Sequence, residues 1–244
     1  MLTLARCPVD ETSLETSDRG LDFRILQQDF RLFHAPLLTP TRVLDLKAGS
    51  GYWADKVALC AESSHVLGRD IAPTQSATDP NCTFEFDNVN WNCKRDWEAF
   101  DLIYGSKLLG NITDWPRLFR KCFESLAPGG FFELCDTPFN YKGDDEAIAS
   151  GNSVSRHTHG LGDKIGCSFF ITPGMYTHHM VAAGFVDICE KWETVEVTEF
   201  VLHDVECVLR LVWYLEGLDD EEIRARLADW RGRLEAEASN VQVR

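Results

Sequence analysis

A chain of 244 residues has room for one full-sized core with a small cap beside it. Its 39 acidic against 24 basic side chains leave a net charge of −15, which opposes a phosphate backbone and argues against DNA or RNA as a substrate. No apolar run reaches the length of a membrane span, and the first residues lack the basic-then-apolar order of a secretory signal, so a cytoplasmic protein is expected.

In chain order, Leu26, Phe30 and Phe33 form an apolar stripe that reads as a helix packed over the domain. Arg42-Val43-Leu44-Asp45-Leu46 is a short apolar run entering a glycine turn, the pattern of a buried strand. His65–Arg69, Thr83–Phe86, Phe100–Tyr104 and Phe131–Cys135 are further short strands by the same criterion. Between the last two, Trp115, Leu118, Phe119, Cys122, Phe123 and Leu126 recur at helical spacing. Asp114 is placed to cap that helix, Pro116 sits in its first turn, and Pro128-Gly129-Gly130 should stop it. Strands alternating with helices imply βαβ units and a mainly parallel sheet.

Residues 146–168 are rich in Gly, Ser and His, without clear periodicity. Pro173–Ala183 followed by Gly184 reads as a helix, and Phe185–Val197 as one or two strands. Asp204–Glu216 is apolar on most sides and expected to be buried or at an interface. Asp219–Ala238 is amphipathic, with Ile223, Leu227, Trp230 and Leu234 on one face. A single domain over residues 1–244 is expected. Its parts are a helical cap (1–40), a ligand-binding core (41–136), a substrate-side insertion (137–172) and a C-terminal part (173–244). Nine cysteines, scattered singly with no CxxC pair, give neither a disulfide framework nor a zinc ribbon. His157-x-His159 has no third ligand at a familiar spacing, so no metal is expected.

The turn Lys47-Ala48-Gly49-Ser50-Gly51 carries the ligand argument. Gly49 and Gly51 permit close backbone approach, and the helix beyond offers unpaired N–H groups. Gly49-x-Gly51-x-x-Ala54 also fits a dinucleotide fingerprint holding a pyrophosphate. Asp45 weighs against that reading, because its carboxylate would repel a pyrophosphate but suits the ammonium end of a methionine moiety. Asp70 ends the second strand, where it can accept from two ribose hydroxyls. Asp87-Asn88 ends the third, within reach of an adenine amino group.

With those residues in view, the chain resembles the class I S-adenosylmethionine (SAM)-dependent methyltransferases, and within them the LaeA-like branch of fungal secondary metabolism. The resemblance rests on Arg42-Val43-Leu44-Asp45, Gly49-x-Gly51-x-Trp53-Ala54, Gly68-Arg69-Asp70-Ile71-Ala72-Pro73-Thr74-Gln75 and Phe84-Glu85-Phe86-Asp87-Asn88. It continues through Phe100-Asp101-Leu102-Ile103, Leu108-Leu109-Gly110, Asp114-Trp115-Pro116, Pro128-Gly129-Gly130 and Glu133-Leu134, with a later echo at Ala183–Asp187. The family implies a Rossmann-like α/β fold with helices on both faces of the sheet. It implies SAM as cofactor, held by Asp45, Lys47, Ala48, Gly49, Gly51, Asp70, Ile71, Asp87, Asn88 and Gly105, with Tyr104 and Gly105 lining the sulfonium.

The departures are Lys47, where the family has a glycine, Tyr104 and Ser106, where this branch often carries His and Arg, and a C-terminus too short for the usual last antiparallel strand. Asp136, after the fifth strand, and Tyr104 have the address of catalytic residues, as does His157 in the insertion. Asp136 also fits loop capping. Phe169, Phe170 and Trp192 are candidates for an apolar acceptor wall or for core. In the pair His178-His179, on a helix, only one ring can face inward.

The function expected is methyl transfer to a small-molecule natural product at an O or N acceptor, without nucleic acid or membrane, by a chain that can form a homodimer. A methyltransferase-like cyclase or isomerase of the pericyclase type is the alternative, and a non-enzymatic regulatory partner is a third class.

Overall fold

The computed structural model describes residues 15–16, 18–22, 31–71, 77–90, 100–137, 162–163, 165–192 and 199–238. Its elements are β1 (Arg42–Asp45), α1 (Tyr52–Cys60), β2 (His65–Asp70), β3 (Cys82–Phe86), β4 (Phe100–Ser106), α2 (Trp115–Ser125) and β5 (Leu126–Cys135). After these come α3 (Met175–Ala183), α4 (Glu199–Leu215) and α5 (Asp220–Ala238). The five strands form one sheet in the order β3-β2-β1-β4-β5. Every pairing is parallel. From β1 the chain builds outward through β2 and β3, then returns to β1's other side for β4 and β5. The connection therefore reverses direction between β1 and β4, and a crevice opens there beyond the carboxyl ends of the strands.

Alternation along the central strands feeds two cores, one on each face. Val43 and Leu102 pack with Trp53, Ala54, Val57 and Ala58 of α1. Leu44 and Ile103 pack on the opposite side with Trp115, Leu118, Phe119 and Cys122 of α2, and with Met175, Tyr176 and Met180 of α3. The helix expected from Trp115 onward is present, capped by the Asp114 side chain, which accepts from the Arg117 N–H at 3.0 Å. Its end differs from the sequence expectation. Leu126 is extended (φ −79, ψ 143) and already belongs to β5, which runs through Pro128-Gly129-Gly130. A register irregularity between Phe100 and Leu102 accommodates that segment.

The strands expected from Phe185 onward are not found over residues 185–192; residues 193–198 lie outside the described set. Gly184 ends α3 at φ +110, with a Phe123 ring atom 2.9 Å from where a Cβ would stand. Leu26 and Phe30 are also outside the described residues, whereas residues 18–22 are helical and Phe33 packs on the α1 side of the sheet.

The described residues fall into two compact units. The sheet unit takes residues 15–137 and 171–192. The second takes residues 162–170 and 199–238, where Val205, Leu209 and Trp213 of α4 bury against Ile223, Leu227 and Trp230 of α5. Phe169 and Phe170 join this second core, which accounts for their apolar character. Asp219 and Glu222 open α5 with a reciprocal cap: Asp219 Oδ1 accepts from the Glu222 N–H at 2.9 Å, and Glu222 Oε2 accepts from the Asp219 N–H at 3.0 Å. Buried Glu206 is paired by Arg231, whose Nη2 lies 2.9 Å from its Oε2.

Phe119 is fully buried and touches Trp115, Phe132 and Tyr176 edge or face on. Phe119→Ala should cost about 3–5 kcal/mol of stability, read as a lowered midpoint in urea with an unchanged slope.

Candidate functional site

The turn leaving β1 is fixed by both neighbouring strands. The Leu46 N–H donates to the Tyr104 carbonyl of β4 and the Ala48 N–H to the Arg69 carbonyl of β2, each at 2.9 Å. Gly51 closes the turn on the Ala48 carbonyl at 2.8 Å and starts α1. The turn is thus held at the mouth of the crevice by backbone bonds to β2, to β4 and within itself.

Its two glycines meet different demands. Gly49 has φ +58 and open space where a Cβ would lie, which is the condition for a ligand to approach the backbone. Gly51 has φ +89, and a Cβ there would stand 2.6 Å from the ring of Phe84. The same ring excludes a Cβ at Gly68, 2.5 Å away. Phe84 is therefore a wedge joining β3, β2 and the turn. The sequence pattern did not expose it, because a strand phenylalanine reads as ordinary core until its neighbours are known.

The acidic strand ends surround this turn. Asp45 is only 2% exposed, so its carboxyl group lies in the interior; the Lys47 N–H faces its Oδ1 at 3.4 Å. Asp70, also buried, accepts the Gly49 N–H on Oδ2 at 2.9 Å, and its carbonyl accepts the Asp87 N–H at 3.0 Å. Asp87 lies 3.8 Å from the Arg69 guanidinium, which also reaches Glu85 at 3.2 Å. Asn88 Oδ1 accepts the Asn90 N–H at 2.9 Å and shapes the loop after β3. Ala48 is buried and Ile71 half-buried, while Gly105 is buried with Leu108 2.9 Å from its Cβ position.

Among the residues expected to be catalytic, Tyr104 is 3% exposed and its ring is stacked on Trp53 at 3.9 Å and 9°. That places it in the core on the α1 face, away from solvent-accessible chemistry. Asp136 Oδ1 accepts from the Leu108 and Leu109 N–H groups at 2.6 and 3.3 Å, and its Oδ2 accepts the Tyr176 hydroxyl at 2.8 Å. Burial pushes its pKa up, opposed by those three donors and by the Lys47 ammonium. This geometry is loop capping. It fastens the loop after β4, in which Lys107 adopts φ +53 and donates its N–H to the Cys135 carbonyl at 3.1 Å, to α3. Tyr176, which no motif marked, is the second half of that tie. His157 and His159 lie outside the described residues. His178 is exposed, while His179 stacks on Phe119 at 6.5 Å, so one ring of the pair faces inward. Trp192 is exposed and donates to Glu190.

The N-terminal segment meets the turn through acids that the sequence did not single out. Ser50 Oγ donates to Asp18 at 2.5 Å, and Tyr52 Oη to Asp22 at 2.7 Å. Lys56 pairs with Asp22 at 3.4 Å and lies over the Tyr52 ring. Trp53 Nε1 donates to the Leu32 carbonyl at 2.8 Å, and Glu133 accepts the His34 and Ala35 N–H groups at 2.7 and 2.9 Å.

The family pattern of the methyltransferase domain matches residues 19–190, which includes the turn, all five strands and α3. The chain belongs to the methyltransferase domain family. It is 32% identical over 154 residues to methyltransferase pytC of Aspergillus terreus, a match covering 59% of this chain and 46% of that one. It is 35% identical over 130 residues to the protein-methionine methyltransferase laeA of Emericella nidulans, covering 52% and 34% respectively. The chain thus spans less than half the length of these curated relatives. In fold it is similar to phosphoethanolamine N-methyltransferase 2 of Haemonchus contortus, solved with S-adenosyl-L-methionine. That likeness has a TM-score of 0.58 at 17% identity, covering 98% of this chain and 57% of that one. No described helix is long and apolar enough to cross a membrane, and no described cluster of His, Cys, Asp and Glu could hold a metal.

Two measurements follow from this geometry. Gly51→Ala combines left-handed strain with a clash on Phe84 and should destabilise the methyltransferase domain by about 1–3 kcal/mol, more than Gly49→Ala, as read by chemical denaturation. Tyr176→Phe should cost about 1–3 kcal/mol by removing a donor from buried Asp136. The Tyr176 bond favours the ionised carboxylate, so its loss raises an already raised pKa. Denaturation curves should show the penalty growing as pH climbs above Asp136's ordinary value of 3.8.

Proposed function

We propose that this methyltransferase domain binds S-adenosylmethionine at the Asp45–Gly51 turn and transfers its methyl group to an oxygen or nitrogen of a small-molecule natural product. The observation that carries the reading is the set of three carboxylates at successive strand ends, around a turn whose Gly49 face is open. The residues present fit the cofactor. Asp45 supplies a buried negative charge for its amino-acid end. Asp70, already tied to the Gly49 N–H, sets a carboxylate for the ribose hydroxyls, and Asp87 with Asn88 borders the adenine.

The cofactor, when bound, supplies a methyl group on a cationic sulfur. This chain's own contribution is placement, since holding the acceptor atom in line with the S–CH3 bond accounts for much of the acceleration. The loop after β4, fastened by Asp136 and Tyr176, gives that position a fixed wall. In this reading Asp136 positions the loop, because its oxygens are occupied by three donors. Tyr104 packs, and His157 is the candidate base for an acceptor that still carries its proton. That base would take the proton the acceptor loses as the methyl group is transferred. The family match and the methyltransferase relatives favour this reading over cyclisation on the same fold.

Calorimetric titration with S-adenosylhomocysteine should give a one-site isotherm. Asp70→Ala should weaken it about tenfold or more by removing hydrogen bonds from a charged acceptor. Incubation with methyl-labelled cofactor and a panel of phenolic and amine natural products should yield labelled product. A silent titration with a folded chain would defeat the cofactor assignment, and binding without transfer to any acceptor would count against the reaction.

A further inference from the structure

The loops after β3 and β4 leave the sheet well apart. β2 and β1 lie between those strands, which puts their ends roughly 14 Å from one another. Asn90 nevertheless joins the two loops. Its Nδ2 donates to the Asn111 carbonyl, while its Oδ1 accepts the Thr113 N–H at 2.9 Å and the Thr113 hydroxyl at 3.1 Å. Val89 packs against the core cluster that holds Leu44, Leu108, Leu109 and Ile112, so the segment turns from β3 toward β1 on the α2 face of the sheet. The same segment opens with Asp87 and Asn88. Because Asn88 Oδ1 accepts the Asn90 N–H at 2.9 Å, the strand end and the junction belong to one turn.

Asn111 carries the connection onward. Its Nδ2 donates to the Lys107 and Leu109 carbonyls at 3.2 and 3.0 Å, and its N–H to the Leu108 carbonyl at 3.0 Å. Residues 107–111 are therefore bonded into one unit, and its far side ends on Asp136, which accepts the Leu108 and Leu109 N–H groups. A continuous run of hydrogen bonds thus leads from the end of β3 to the loop after β4. The two anchors of that loop are unequal. Leu108 and Leu109 are buried beside Asp136, whereas Thr113 is exposed, so water competes for the Asn90 anchor. The Asn90 side is the one with order left to gain when a ligand arrives.

We infer that Asn90 is a positioning residue, a clasp through which a nucleoside bound at the ends of β2 and β3 orders the loop after β4, beside which the methyl group is transferred. This rests on the reading that the site binds S-adenosylmethionine. A side chain that only closed a surface loop would stabilise the fold without passing the effect of one ligand-facing segment to the other.

The test is hydrogen exchange read by mass spectrometry on the full chain, with adenosine and S-adenosylhomocysteine as probes. Adenosine carries the nucleoside alone, and in this reading it meets the ends of β2 and β3 but not the loop after β4. In wild type, saturating adenosine should slow exchange about threefold or more at residues 87–90 and also at residues 107–113. Asn90→Ala removes both halves of the clasp, and Asn90→Asp keeps its shape but turns a carboxylate oxygen on the Asn111 carbonyl. In either variant the protection at residues 87–90 should persist while that at residues 107–113 disappears. Affinity for S-adenosylhomocysteine should fall about threefold to tenfold, as for the loss of one or two neutral hydrogen bonds. Thermal melts establish which variants are folded. Equal protection of residues 107–113 in wild type and a folded variant overturns the inference, because the loop is then ordered without Asn90. So does a wild-type chain in which adenosine protects residues 87–90 alone, a result that needs no variant. A folded wild-type chain that binds neither probe overturns the cofactor reading itself and the inference with it, an outcome distinct from both.

Discussion

The exit of β1 is hydrogen-bonded to the strand on either side, and the geometry of the whole site depends on that constraint. A strand at the point where a parallel sheet reverses its winding has neighbours that arrive from opposite directions in the chain. Tying Leu46 to β4 and Ala48 to β2 therefore fixes the turn against two elements that are otherwise independent. The Phe84 wedge adds β3 to the same assembly by filling the space that Gly51 and Gly68 leave vacant. The position of Asp70 follows, since its carboxylate is held by the Gly49 N–H of the fixed turn. A ligand entering the crevice thus meets groups whose ordering cost was met on folding, which is the condition for affinity from few contacts.

Three of the acids at the site, Asp70, Asp87 and Asp136, have local compensation. A buried carboxylate without donors would be protonated or would unfold its surroundings. Asp70 has the turn's N–H, Asp87 the Arg69 guanidinium, and Asp136 two backbone donors and a hydroxyl. Asp136 shows which effect wins. Desolvation is the largest influence and raises its pKa, even with three donors and a lysine pulling the other way. A group so placed serves better to hold a loop than to exchange protons with a substrate, because its oxygens are engaged.

The strands and α2 were legible in the sequence because their signals are local. Val43-Leu44, Leu102-Ile103 and the Trp115–Cys122 spacing each declare their face within one or two turns of chain. The acidic strand ends were legible for a related reason, as an acid that ends an apolar run lies at a strand tip whatever its neighbours. What escaped the sequence depends on pairs distant in the chain. Tyr176 meets Asp136 forty residues away in sequence, and Asp18 meets Ser50 across thirty-two. The address of Tyr104 at the end of β4 says nothing about the face it takes, and the strand's alternation sends it to Trp53. Leu126 was misassigned because its apolar side chain fits the helical spacing, although the backbone has already turned extended.

The contacts around the turn also differ in how easily they part, and the difference has a direction. Those to β2 and β4 are backbone bonds in a buried sheet, and breaking one leaves an orphaned donor in the interior at a cost of about 1–3 kcal/mol. The N-terminal segment is joined partly through Asp18, Asp22, Tyr52 and Lys56, side chains that water can reach, and such pairs are worth about 0–1 kcal/mol each. The Trp53–Leu32 and Glu133 hydrogen bonds and the packing of Leu21, Leu32 and Phe33 hold it as well. Burial raises the pKa of Asp18 despite its bond to Ser50, so this contact carries a desolvation cost of its own. Those side-chain pairs are therefore weaker ties than the backbone bonds that hold the turn around Gly49.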